Sequence, residues 1–127
     1  MRRLAILLLL SAITAGAANA AEQPRRFVVF FQEWSAALDN SAQSVIEEAA
    51  NFANANPRAV VRVRGFADPT GSKQANILMS ELRAQRVSDQ LKDAGVAGAR
   101  IRQDARGAVK FASTSLESRR VEVEISP

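Results

Sequence analysis

The alternation Val61-Arg62-Val63-Arg64 runs straight into Gly65, and then into the turn residues Asp68-Pro69-Thr70-Gly71. A period of two is what a strand presents, so Val61 and Val63 face a core while Arg62 and Arg64 face water. Asp first, Pro second and Gly fourth are the residues of a type I turn. Just past the turn, Ser72 can accept from the first free N–H groups of a helix. Ile77, Ala84, Val87 and Leu91 then recur at helical spacing. A half-buried strand, a tight turn and an amphipathic helix must share a core with other elements.

Those elements are legible on both sides. Arg26 to Phe31 is an apolar run rich in aromatic and β-branched residues, the pattern of a buried strand. Asp39, Asn40 and Ser41 offer helix-starting side chains, and Val45, Ile46, Ala49, Phe52 and Ala53 form an apolar stripe. Asn56-Pro57 ends that helix, because a residue before proline avoids helical backbone. The strand from Ala59 to Gly65 comes next. Gly95 is a stop for the second helix, and a third strand is expected over Ala99–Ala105. Gly107–Glu117 reads as a loop. Val121, Val123 and Ile125 alternate with Glu122 and Glu124 as a last strand. The order β-α-β-α-β-β implies an α+β fold with two helices packed on one face of a mixed four-stranded sheet.

Residues 1–20 read as a leader. Arg2 and Arg3 precede the apolar run Leu4 to Ile13, and Ala18-Asn19-Ala20 has the form of a cleavage site. The run is far shorter than the roughly 20 residues a membrane span needs. The expectation is a signal peptide cleaved near Ala20, a single domain over residues 21–127, and a place outside the cytoplasm with no transmembrane segment in the mature chain. The chain has no cysteine, which excludes a disulfide framework and a thiol-linked lipid. Its net charge of +4 falls by two when the leader takes Arg2 and Arg3. A residual charge that small does not suggest a nucleic-acid partner.

The inventory is poor in catalytic groups. There is no His, Cys or Tyr, which removes the usual general base, the thiol nucleophile and the imidazole metal ligands. No Ser–x–x–Lys spacing accompanies Lys73, Lys92 or Lys110. The paired Glu47-Glu48 is what a solvated helix face carries. The reading is a binding protein, not an enzyme, with no cofactor.

Arg83 is the candidate for binding. Its helical neighbours at three and four residues are Met79, Ser80, Arg86 and Val87, none acidic, so no local ion partner is available. Helical side chains lean toward the N-terminus, here toward Asp68 and its turn. Asn76, Ser80 and Arg83 share a face. Three plainer roles stand beside this one. Asp68 could bond the backbone of its own turn, Arg83 could be a surface arginine, and the two could simply pair.

Gly65-Phe66-Ala67-Asp68-Pro69-Thr70-Gly71, followed by Asn76-x-x-Met79-Ser80-x-x-Arg83-Ala84-x-x-Val87, resembles the OmpA-like C-terminal domain of Pal and MotB type. The family pattern is Gly-His-Thr-Asp-x-x-Gly and then Asn-x-x-Leu-Ser-x-x-Arg-Ala-x-x-Val. Gly95-Val96 before Arg100-Ile101, Ser118-Arg119-Arg120-Val121-Glu122, and Phe31 with Ser35-Ala36-Ala37-Leu38 extend the resemblance over nearly all of residues 21–127. It implies non-covalent binding of a peptidoglycan stem peptide at its diaminopimelate residue, in the cell envelope. Asp68 would then hold the ligand's ammonium and Arg83 its carboxylate, with Thr70 and Asn76 lining the pocket and Arg119 at its rim. The family's His-Thr is Phe66-Ala67 here, its third-strand loop is short, and its Asn before the paired arginines is Ser118. These departures leave a second reading, a module that has kept the fold but binds an envelope protein, with Trp34 and Phe66 as exposed contacts. Trp34 is read as a packing residue ahead of a ligand platform.

Overall fold

The computed structural model describes residues 23–68, 71–108 and 118–127. The leader expected over residues 1–20, Thr70, and residues 109–117 of the expected loop lie outside the described residues. Strands β1 (Arg25–Phe30), β2 (Val60–Ala67), β3 (Ile101–Ala108) and β4 (Arg120–Ser126) form one sheet in the order β1-β4-β2-β3. β4 runs antiparallel to both β1 and β2, while β3 runs parallel to β2. The sheet is therefore mixed. Helices α1 (Asn40–Ala55) and α2 (Lys73–Asp93) cover one of its faces.

The local chemistry sets the helix ends. Asp39 caps α1, its Oδ1 accepting from the Ala42 N–H at 2.8 Å, which satisfies one of the N–H groups a first turn leaves open. α1 stops at Ala55, just before Asn56-Pro57. Ser72 caps α2 through the Ala75 N–H at 3.1 Å, and α2 stops two residues before Gly95.

The core lies between the helices and one face of the sheet. Ile46, Ala49 and Ala53 of α1, Ala84, Val87 and Leu91 of α2, Val61 and Val63 of β2, and Val121, Val123 and Ile125 of β4 are essentially inaccessible. Among the described residues this core runs from Phe27 to Ile125. Ile77, expected in the stripe of α2, is only half-buried.

Several strand boundaries differ from expectation. Residues 98–100 form a short 3₁₀ turn, so β3 starts at Ile101 rather than Ala99. Arg100 explains the turn. Its Nη2 donates to the carbonyls of Ala53 (2.8 Å) and Asn56 (2.7 Å) and its Nε to that of Ala59 (3.1 Å), which ties the end of α1 to the start of β2. At the far end, β2 continues past Gly65 to Ala67, and β3 continues through Gly107 to Ala108. The β2–β3 register slips there, with Gly65 opposite Ala105 but Ala67 opposite Ala108. Such bulges bend a strand locally and re-aim the next residues along it, here Asp68.

Candidate functional site

The site sits where β2 ends and α2 passes over it. Gly65 makes the approach possible. A Cβ built there would lie 2.0 Å from the Ser80 carbonyl oxygen and 3.2 Å from the Ala84 Cβ, so only glycine lets the helix backbone rest on the strand. The contact brings Asn76, Ser80 and Arg83, all under 4% exposed, against the end of the sheet.

Arg83 is 1% exposed, and each of its three guanidinium nitrogens donates once to a backbone carbonyl. Nε donates to Ser35 O at 2.8 Å, Nη2 to Gln32 O at 3.0 Å, and Nη1 to Phe66 O at a long 3.4 Å. The guanidinium carbon also lies 5.3 Å from the centre of the Phe31 ring. One side chain of α2 thus fixes the connection between β1 and α1 against the end of β2. Burial first, and then the nearby Arg119 cation, push the Arg83 pKa down while Asp68 opposes the fall, and the net value is about 10. Arg83 is therefore a cation at neutral pH.

Asp68 is 8% exposed. Its Oδ2 accepts from Arg119 Nη1 at 3.0 Å, an ion pair with both side chains largely covered. Arg119 Nε donates to Phe31 O at 3.1 Å, and the Phe31 N–H donates back to Arg119 O at 3.0 Å. Asp68 Oδ1 is buried and has no hydrogen-bond partner among the described residues. A buried carboxylate oxygen left open is costly, and Asp68 lines a void.

That void holds about 10 Å³ and is lined by Glu33, Trp34, Ala67, Asp68, Asn76, Met79, Arg83 and Arg119. It is the size of a single water. Trp34 stands at its side in left-handed backbone, φ 51°, with its ring edge 3.2 Å from where a Gly71 Cβ would be. Gly71 itself has φ +84°. The indole is half-exposed, at 51%.

Four of the five residues expected at the site, Asp68, Arg83, Asn76 and Arg119, therefore meet around one small void, while Thr70 lies outside the described residues. The plainer pairing of Asp68 with Arg83 is not what forms. Asp68 is clasped by Arg119, which lines the void instead of standing at a rim, and Arg83 reaches carbonyls. Sequence reasoning missed Gln32 and Ser35, whose role is through the backbone, and the lining residues Glu33 and Met79. Phe66, offered as an exposed contact, is 9% exposed under the Arg120 guanidinium, 4.1 Å above its ring.

The sequence pattern of the OmpA family matches residues 30–122, which includes every side chain lining the void. The chain belongs to the OmpA family. An Escherichia coli (strain K12) protein named "Probable lipoprotein YiaD" is 33% identical over 105 residues, covering 78% of this chain and 48% of that protein. The chain thus spans about half the length of that curated relative.

Solved OmpA-family structures share the architecture. The OmpA-like domain of FopA1 from Francisella tularensis superposes with a TM-score of 0.72 at 26% identity, covering 82% of this chain and 73% of that one. The peptidoglycan-associated lipoprotein of Burkholderia pseudomallei gives 0.71 at 20% identity, over 79% and 90% of the two chains. The periplasmic domain of MotB gives 0.69 at 22%, over 83% and 64%. At such identities the likeness concerns the fold, and function has to be argued from the site. Among the described residues no helix is long and apolar enough to cross a membrane, and no group of acidic residues is placed to hold a metal.

Proposed function

We propose that this OmpA-family domain binds peptidoglycan non-covalently, in the cell envelope, through the zwitterionic end of a diaminopimelate-type residue in the stem peptide. The observation that carries the reading is the open Oδ1 of Asp68, buried beside two guanidinium groups at the small void they share. An ammonium placed there satisfies the open oxygen. A guanidinium has five N–H donors, and Arg83 and Arg119 each commit only part of theirs to carbonyls and Asp68. The remainder suit a ligand carboxylate. A site with both charges prefers a zwitterion, because a singly charged ligand would leave one buried charge unmatched.

The void admits one water, so binding requires it to widen. Trp34 is the wall able to yield. Trp34 is held in backbone that costs a non-glycine residue on the order of 1–2 kcal/mol, and its ring is half in solvent. Asn76 and Thr70 complete the proposed pocket. A leader over residues 1–20 and a periplasmic location belong to the same proposal, which the YiaD and Pal likenesses favour.

The closed Asp68–Arg119 pair also favours a second reading, an envelope-protein interaction module without ligand. Its contact surface would be a groove of about 550 Å³ between α2 and the edge strand β3, with Leu78 and Leu82 exposed in it. Co-sedimentation of residues 21–127 with isolated cell wall separates the two. The first reading expects retention that Asp68→Asn and Arg83→Ala abolish, in variants shown folded by circular dichroism. Wild-type retention of both variants rejects the site.

A further inference from the structure

β3 is an edge strand. Among the described residues it pairs only with β2, so its outer side presents a row of N–H and C=O groups with no strand beside it. The two faces along that edge differ in chemistry. The register sets Gln103 and Ala105 level with Val63 and Gly65, on the face the helices cover. There a groove of about 550 Å³ runs between β3 and α2, and Leu78 and Leu82, one helical turn apart, are 54% and 47% exposed along it. On the other face Arg102, Asp104 and Arg106 stand exposed in alternation. Asp104 is shared between Arg64 and Arg106, each at 3.7 Å. Arg102 donates to the Ala99 carbonyl at 2.7 Å and, among the described residues, has no ion pair.

The sheet already holds a strand of the kind such an edge would take. β2 carries Arg62 and Arg64, and its neighbour β4 sets Glu124 opposite Arg62 and Glu122 opposite Arg64, with Val123 and Ile125 buried on the other face. Cross-strand pairs of opposite charge and of apolar groups stabilise a sheet. By the same rule a strand beside β3 needs acids opposite Arg102 and Arg106, a base opposite Asp104, and apolar side chains between them that enter the groove against Leu78 and Leu82. A second copy of β3 brings two arginines for one aspartate, so it would leave arginines unmatched. We infer that the outer edge of β3 takes up an extended peptide of a partner protein as a fifth strand, with acidic and apolar residues in alternation. This contact is separate from Asp68, Arg83 and Arg119 and does not rest on the wall-binding reading.

The test uses the full chain and a labelled synthetic peptide, Leu-Glu-Val-Lys-Val-Glu-Leu, capped at both ends and read by fluorescence anisotropy. The peptide has the same order in both directions, so it suits a parallel or an antiparallel partner. Saturable binding is expected. The charge-exchanged peptide, Leu-Lys-Val-Glu-Val-Lys-Leu, should bind at least about tenfold more weakly, because three cross-strand pairs are reversed. Two N-methylated forms, each blocking the N–H groups along one edge of the peptide, distinguish a paired strand from a loose charged contact: one should bind as the parent peptide does and the other should not bind. Arg102→Glu with Arg106→Glu, both exposed positions, should reverse the preference between the two peptides, and Leu82→Ser should weaken binding severalfold. Equal affinity for the two peptides overturns the inference, as does equal affinity for the two N-methylated forms. Binding of neither peptide overturns it too, and leaves the charges as a guard of the edge. A dimer of the parent protein that the double variant dissolves overturns it in favour of a second copy at β3.

Discussion

Arg119 holds Asp68 and Phe31 at once: its Nη1 meets Asp68 Oδ2 at 3.0 Å while its Nε meets Phe31 O at 3.1 Å. The residue before β4 thereby closes the mouth between the ends of β1 and β2. Asp68 is 11% and Arg119 14% exposed in their side chains, so water screens the pair poorly. Removing one partner strands the other.

The first prediction rests on that stranding. Arg119→Met should destabilise the domain by about 3 kcal/mol, because Asp68 stays buried and charged without its partner. Asp68→Asn with Arg119→Met should cost less than the sum of the two single changes, and a double-mutant cycle in urea measures the difference. Additive single effects would show that the pair contributes nothing as a pair.

Trp34 supplies a second. It is the only tryptophan in the chain, and it borders the void. A stem-peptide fragment that widens the void should shift its emission. Trp34→Gly should change stability by less than about 1 kcal/mol, since glycine adopts φ 51° freely and offsets the lost ring contact. The same change should raise fragment affinity severalfold, as no closed wall then has to move. Unaltered affinity together with constant emission in the parent protein would contradict the proposed opening.

Gly65 supplies a third, on packing alone. Gly65→Ala sets a methyl 2.0 Å from the Ser80 carbonyl oxygen, an atom of helix backbone that cannot rotate aside. The helix must lift, and the cost should reach about 3 kcal/mol or more. Thermal melts check it. Gly98→Ala, whose added carbon would meet only the Lys92 side chain at 3.4 Å, should stay within about 1 kcal/mol.

These cases show where sequence stops being informative. The strands at Val61 to Gly65 and Val121 to Ile125 were legible because alternation is a property of side chains alone. The start of β3 was not, because Arg100 is spent on three carbonyls, and carbonyls occur at every residue. The same holds at the site. That Asp68, Asn76 and Arg83 converge was legible from helical spacing and the turn. That Arg83 would be absorbed by Gln32 and Ser35 was not, since those residues act through their backbones. Nor does any side-chain pattern announce a tryptophan in left-handed backbone.

Arg83 carries the last prediction. Arg83→Lys keeps the charge but offers a single point donor where the carbonyls of Ser35 and Gln32 need two diverging N–H groups. One carbonyl then loses its donor in a buried place, at about 1–3 kcal/mol. Arg83→Met leaves all three without one and should cost more, about 3–5 kcal/mol on the same reasoning. The pH dependence distinguishes these variants from the parent. Folded Arg83 titrates near 10 and its unfolded form higher, so in that window the unfolded chain holds the extra proton. Stability owed to this residue therefore rises with pH there, and below about 10 the burden of burying the charge is constant. Chemical unfolding of the parent and Arg83→Met should accordingly differ by a fixed amount from neutral pH upward, with the gap widening only above about pH 10. A gap that shrinks with rising pH would mean that the folded environment favours the charged form, and that the carbonyls outweigh the desolvation.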